Sequence, residues 1–325
     1  MPFRHLFQRM PPVSELTIRR TPPEHRAQAL SAATGQAVSS VAGFERRAAD
    51  RGMDLSLVWS AYTQDGALQA SILLVPSPGR TAAVMFGLHA GQGYAPIVGR
   101  LLQQAAEDLS TEGSITLLQA LPRPSESIRR RALEAGGFHR LATLEYMERP
   151  NTAHLPATAL PPGFTLTPWR TQERSMMIAL LQRTFVDTLD CPGLAAMRTG
   201  DDILDGHLHA GDSDTSLWRV VWHGGAAVGA VLLSPCALTD SVDLVYLGLA
   251  PEVRGKGVAL TALQQALHEA SALPHRLVQL AVDTRNAPAV ALYQRTGFQG
   301  RQHREAWVRP LSSGATCPQR VDTAP

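Results

Sequence analysis

Lysine is all but missing from this chain: of its 30 basic residues only Lys256 is a lysine, and the rest are arginines. Cysteine is scarce too. Cys191, Cys236 and Cys317 are odd in number and widely spaced, with no CxxC or paired pattern that would indicate a disulfide framework or a zinc knuckle, and a reducing compartment fits. No segment reaches the ~18 consecutive apolar residues of a membrane-spanning helix. The net charge of +2 is far from the strongly basic balance that phosphate-backbone binding calls for, which gives nucleic acid no support as a partner. These absences leave a soluble, folded protein, no membrane partner, and the cytoplasm as its default location. The oligomeric state is left open.

What is present points to two domains. A chain of 325 residues exceeds the usual ~100–200 residues of one domain. Sliding the sequence along itself brings unlike features into register at an offset of 160 or 161 residues. "LLQQAAEDL" from Leu101 meets "ALQQALHEA" from Ala262, and "GGF" at Gly136 meets "TGF" at Thr296. "DLSLVW" at Asp54 meets "DTSLWR" at Asp214, and "MERP" ending at Pro150 meets "WVRP" ending at Pro310. Each copy reads as a mixture of strands and helices: an α/β chain with a mixed sheet in each half. In the second copy, "GFTLTPWR" reads as a short strand, 171–184 as a helix, and "SLWRVVW" and "AVGAVLLS" as a hairpin about Gly224 and Gly225. "VDLVYLGL" and "LVQLAV" are further strands, and "APAVALYQRTGF" a helix stopped by Gly297. The proline-rich 151–162 is expected to link a domain over 15–150 to one over 163–310. Residues 1–14 and 311–325 are expected to be disordered; the acid-free start faintly resembles a transit peptide but has no apolar core.

The lone lysine sits in "PEVRGKGVAL", Pro251 to Leu260, between a strand and an amphipathic helix whose Ala259, Leu263, Ala266, Leu267 and Ala270 share a face. Glycines at 255 and 257 let backbone N–H groups converge at the helix start. There a partial positive charge and unpaired donors suit a pyrophosphate. A P-loop needs Ser or Thr after the lysine, where Gly257 stands; a dinucleotide fingerprint needs glycine at 260, where Leu260 stands.

Arg254, Gly255, Lys256, Gly257, Val258 and Ala259 together resemble the acyl-CoA loop of the GNAT acetyltransferases. A second signature of that family lies in "NAPAVALYQRTGF", with Asn286, Pro288, Ala289, Leu292, Tyr293, Gly297 and Phe298 in place. The resemblance covers 163–310 directly and, through the repeat, 15–150 weakly. It implies two tandem GNAT-like acyl-CoA N-acyltransferase domains, with acetyl-CoA as co-substrate, no metal, and an amine acceptor, small molecule or peptide. It implies that two strands part so that pantetheine pairs with backbone near Leu247 and Leu249, and that Tyr293 protonates the departing thiolate. Asn286 either touches the cofactor or caps its helix.

Further residues are candidates of lower weight. Asp243 is a tentative general base, on the expectation that strand alternation sets it on the face of Leu247 and Leu249; a solvated strand-end carboxylate is a reading of equal weight. Asp187 and Asp190, in the connection where the family admits its acceptor, are tentative contacts for a cationic amine. Cys191 lacks a visible histidine partner for nucleophilic work. His207 and His209 read as a solvated polar loop rather than a metal site, and Arg129 to Arg131 as an exposed helix face. In the first copy, Gly93, Tyr94 and Pro96 replace Arg254, Gly255 and Gly257, and Glu126 and Leu133 replace Asn286 and Tyr293. Its cofactor site is expected to be lost, leaving a structural or substrate-shaping partner. The competing reading of the whole is a non-catalytic acyl-CoA sensor or structural protein.

Overall fold

The computed structural model describes residues 10–89, 91, 93–152 and 158–311. The expected disordered start to residue 9, the tail from 312 with Cys317, and 153–157 of the linker lie outside the described residues. The chain divides into two compact units, one of Met1–Leu141 with Glu305–Pro325 and the other of Ala142–Arg304.

In the first unit, β1 (Thr17–Arg20) leads to α1 (Arg26–Thr34) and α2 (Val38–Ala49). The strands β2 (Leu57–Tyr62), β3 (Leu68–Ser77) and β4 (Thr81–Met85) follow, then α3 (Tyr94–Glu112), β5 (Leu117–Ala120) and α4 (Ser127–Ala135). Helix α3 forms because Ile97, Val98, Leu101, Leu102, Ala105, Ala106 and Leu109 repeat at intervals of three and four, and all are buried on one face. In the second unit, β6 (His139–Pro150) and β7 (Phe164–Pro168) precede α5 (Arg174–Thr184) and α6 (Gly200–Leu208). Strands β8 (Trp218–His223), β9 (Ala226–Cys236) and β10 (Ser241–Leu249) come next, then α7 (Val258–Ala270), β11 (Leu277–Asp283) and α8 (Ala287–Arg295); the last strand, β12 (Gln299–Pro310), belongs from Glu305 onward to the first unit. The expected hairpin turns at Gly224 and Gly225, both at positive φ (56° and 80°), where a residue with a Cβ is strained. Helices cover both faces of the second unit's sheet. One core gathers Leu244, Leu249, Val258, Leu263 and Tyr293; the other gathers Met177, Leu181, Ile203, Trp218 and Leu232.

The units are not the sequential halves. The first unit's strand order is β1-β2-β3-β4-β5-β12 and the second's is β6-β11-β10-β9-β8-β7. Each copy's final strand thus completes the ladder of the other copy: Leu144–Pro150 runs antiparallel to Leu277–Asp283, and Trp307–Pro310 runs antiparallel to Leu117–Ala120. The expected domains over 15–150 and 163–310 therefore differ from the compact units at both ends. The physical reason is that a strand's pattern fixes which face it buries but not its partner, and two similar final strands satisfy either ladder. Asn151, at the start of the expected linker, is buried in the second unit. Its Nδ2 donates to the carbonyls of Ala270 (2.9 Å) and His275 (3.1 Å).

Among the described residues, β4–β5 and β10–β11 run parallel. Each pair is joined across a helix, α3 or α7, as a parallel crossover requires.

Candidate functional site

Strands β10 and β11 pair at only three positions, Ser241↔Leu277, Val242↔Val278 and Asp243↔Gln279. Beyond them β10 stays with β9 and β11 stays with β6, so a notch opens between 244–249 and 280–283. A β-bulge at Val245 marks the parting: Leu244 faces Leu233 while Tyr246 faces Leu232. The extra residue reverses the alternation. Val242, Leu244 and Leu249 share one core, with Leu247 packed on it, whereas Tyr246 packs on the other. Asp243 is therefore out of phase with Leu247 and Leu249, a correction to the alternation expected from sequence. It lies in the paired stretch, where its Oδ1 accepts from Ser241 Oγ (2.8 Å) and Gln279 Nε2 (2.8 Å). Tyr293 sits elsewhere, on α8.

At the end of β10 a turn over Pro251–Val253 delivers the glycine loop to α7. Gly255 and Gly257 have φ of 73° and 78°, and a Cβ built on either meets nothing within 4 Å. Conformation, not crowding, demands glycine, and the space before the helix is open. Gly257 is the N-cap of α7 and no side chain caps it. The first-turn N–H groups have no intrahelical acceptor, so they are presented to that space, and the helix dipole adds its positive end. Lys256 is exposed beside them.

Arg254 is placed differently from its neighbours in the motif. Its guanidinium donates to four backbone carbonyls: Nε to Leu249 (3.0 Å), Nη1 to Asp187 (3.1 Å), and Nη2 to Thr184 (3.0 Å) and Val186 (2.7 Å). It fastens the end of β10 to the C-terminal carbonyls of α5 and to the loop that follows. That loop carries Asp187 and Cys191 at positive φ, 51° and 45°, a conformation that needs such holding. A second fastening comes from β11, where Asp283 N–H donates to Asp190 Oδ1 (2.9 Å) and Asp283 Oδ2 accepts from Cys191 N–H (3.2 Å). The buried Asp283 is held by Arg285 through Nη2 (2.6 Å).

Tyr293 is buried on α8, in the core that also holds Leu249 and Val258, its ring edge-on to Phe298. Burial pushes its pKa up, and the Asp190 carboxylate and Tyr246 push in the same direction. Tyr246, whose hydroxyl is 2.7 Å from Thr184 Oγ1, is likewise pushed up to about 12, first by burial, with Asp190 again contributing. Asp190 leaves much of its surface open, yet its carboxylate turns towards β11. Burial of that carboxylate, with the charge of Asp283 adding, raises its pKa. Cys191 is pushed up to about 12 by burial and by these carboxylates, so it is a protonated thiol at neutral pH.

Asn286 is the N-cap of α8, its Oδ1 accepting from Ala289 N–H (3.3 Å). His207 is not in a solvated loop: it ends α6, its ring 5.3 Å from that of Tyr246, with its Nε2 buried and unpartnered. Burial, then the Arg198 charge, lowers its pKa to about 4. The Thr184–Tyr246 pair, Asp283 and His207 were not marked by any motif. The only signal for them is polar residues within otherwise apolar segments. A cavity of about 740 Å³ lies away from the notch, along β7 and β8 with Thr165, Arg170 and Trp222. It is an open surface groove without converging reactive groups.

In the first unit the equivalent helix begins one turn earlier. The buried positions of α3 and α7 superpose at an offset of 161, Ile97 on Val258 and Leu109 on Ala270, but α3 extends back to Tyr94 with Gly93 (φ 99°) as N-cap. Tyr94, Ala95 and Pro96 thus form helix where Gly255, Lys256 and Gly257 form the open loop. Tyr94 is buried, its hydroxyl donating to Gly87 O (3.0 Å).

Residues 180–298 match the acetyltransferase (GNAT) family. No curated protein matches the chain by sequence. Among solved structures, a GCN5-related N-acetyltransferase from Sphaerobacter thermophilus is 18% identical with a TM-score of 0.60, covering 92% of this chain and 97% of its own. A tandem GNAT protein from the clavulanic acid biosynthesis pathway is 19% identical, covering 92% of this chain and 99% of its own, with a TM-score of 0.48. A GCN5-related N-acetyltransferase from Anabaena variabilis is 13% identical with a TM-score of 0.51, covering 91% and 73%. The chain thus has the GNAT fold, and its residues 180–298 are similar to the GNAT acetyltransferase family.

Proposed function

We propose that the second unit transfers an acetyl group from acetyl-CoA to a primary amine by direct attack. The observation that carries this reading is the junction of three features: strands that part after Asp243, an uncapped helix start behind Gly257, and Tyr293 in the core that holds Leu249 and Val258 from those two elements. The pyrophosphate would lie on the N–H groups of Gly255 to Ala259, with Lys256 as a screened charge beside it. The pantetheine would pair with the β10 edge near Leu247 and Leu249, which β11 leaves free. Asn286 holds α8 by its cap and has its amide nitrogen left for the cofactor.

The amine must lose a proton and the thiolate must be stabilised as it leaves. A tyrosine whose pKa is raised stays protonated across the working range, so Tyr293 can donate a hydrogen bond to the developing thiolate. Full proton transfer from it is uphill, because a free thiol ionises near 8.5. The proton that neutralises the thiolate then comes chiefly from the attacking amine. Asp190, with its raised pKa and its influence on both Tyr293 and Tyr246, is the better-placed carboxylate to meet an ammonium group; Asp187 lies on the same loop. Asp243 remains a tentative base, acting from the paired end of β10 through water. Val186 and Leu189, each 50% exposed on that loop, add apolar surface suited to an amine with an apolar body.

Thiol release from acetyl-CoA against a panel of amines, aminoglycosides, amino acids and peptides tests the reading. At least one amine should release CoA, and Tyr293→Phe should slow it about 100-fold with little change in acetyl-CoA affinity. Tight acetyl-CoA binding without turnover of any amine would favour the sensor reading instead.

A further inference from the structure

The first unit has a notch of its own. Strands β4 and β5 pair in parallel at Thr81↔Leu117, Ala82↔Leu118 and Ala83↔Gln119 and then part, as β10 and β11 do. The extra turn at Tyr94 replaces the open glycine loop, but it does not fill the notch. A cavity of about 240 Å³ remains, lined by Val84, Phe86, Gln119, Leu121, Arg129 and Leu133. This is below the ~300–1,000 Å³ typical of sites for larger ligands, so its occupant has few atoms.

The lining has one charge. Arg129 donates from Nη2 to Phe86 O (3.1 Å), and its guanidinium lies 5.7 Å from the Phe86 ring centre. Its Nη1 is 3.6 Å from Glu126 Oε1, too long for a charge-assisted hydrogen bond, while Glu126 Oε2 accepts from Arg123 N–H (2.8 Å). The Nε of Arg129 is buried with no partner. A buried N–H without an acceptor is costly and asks for one. The ends of β4 and β5 also leave large apolar side chains open to solvent: Met85 (37%), Leu88 (52%) and Leu121 (45%). Apolar surface of this kind around a single guanidinium is suited to an anion with an apolar tail.

We propose that the first unit's notch binds a small carboxylate with a short apolar chain, the carboxylate on the Arg129 guanidinium and the chain against Phe86, Leu121 and Leu133. This site is separate from the acetyl-CoA notch and does not depend on the transferase reading. Glu126 sets a limit on the ligand, since a dianion would be repelled by it.

Calorimetric titration of the full chain with hexanoate tests the site, with hexanol and hexylamine as comparisons. Hexanoate should bind once per chain and at least ten-fold more tightly than either comparison. Arg129→Gln should weaken it at least ten-fold. Leu121→Asp, a change at an exposed position, should do the same through charge repulsion even if Arg129→Gln folds poorly. Hexanoate binding that survives both substitutions, or equal binding of hexylamine, would overturn the proposal. So would binding lost in Gly257→Ala but not in Arg129→Gln, since the ligand would then occupy the second unit.

Discussion

Arg254 Nη1 donates to the main-chain oxygen of Asp187 at 3.1 Å, tying the glycine loop to the loop that carries the acidic residues. With Thr184, Val186 and Leu249 also accepting, four hydrogen bonds use most of the guanidinium's five N–H groups. Arg254 thus acts on the loop after α5 more than on an anion. Arg254→Ala is expected to raise KM for the amine about ten-fold while changing KM for acetyl-CoA less than three-fold, and to speed amide exchange over 184–190. Arg254→Lys should recover only part of this, because an ammonium lacks the planar fork. A rise in KM confined to acetyl-CoA would instead put the side chain on the phosphates.

Gly257 and Lys256 separate conformation from charge. Gly257→Ala strains a left-handed residue by about 1–2 kcal/mol and shifts the first N–H groups of α7, so acetyl-CoA binding should weaken about ten-fold or more by calorimetry. Lys256→Ala removes an exposed charge and should cost only two- to five-fold, with the difference shrinking in high salt. Equal losses would mean that the side chain, not the main chain, holds the anion.

The glycine loop, the hairpin at Gly224 and the helix carrying Tyr293 were legible because each is a local pattern, fixed by residues a few positions apart. Three features were not. The exchange of β6 and β12 between ladders is a choice of partner, which no single strand's periodicity encodes. The bulge at Val245 shifts phase without a glycine or proline to mark it, so Asp243 reads from sequence as facing the wrong way. Arg254 matches the motif by type, but its use depends on carbonyls 67 to 70 residues earlier, on a loop brought near only by the fold. Asn286 lay between these cases: its cap follows from sequence chemistry, and only the geometry chose it.

The early start of α3 predicts stoichiometry. Tyr94 to Pro96 are helical where the second unit has its open glycine loop, Pro96 has no N–H to offer, and a Cβ built on Gly93 would meet Met10 at 3.3 Å where one on Gly257 meets nothing within 4 Å. Calorimetry should return one acetyl-CoA per chain, weakened by Gly257→Ala and unaffected by Arg129→Gln. Two equivalent sites would show that the added turn leaves the first unit competent.

His207 makes stability fall on acidification. Its folded-state pKa is about 4, lowered first by burial and then by the Arg198 charge, whereas an unfolded imidazole ionises near 6.5. The unfolded chain therefore binds a proton that the folded chain refuses between those values. The stability linked to this residue is full above pH ~6.5, is lost progressively as pH falls to about 4, and changes no further below that. The loss is on the order of 1–3 kcal/mol, less whatever solvent relaxation returns. His207→Phe keeps a ring against Tyr246 and removes the unpartnered Nε2, so it should flatten this segment of the stability profile measured by urea denaturation between pH 7 and pH 4. An unchanged slope in the variant would mean that carboxylate titration elsewhere sets the acid limb, and that His207 is solvated in solution.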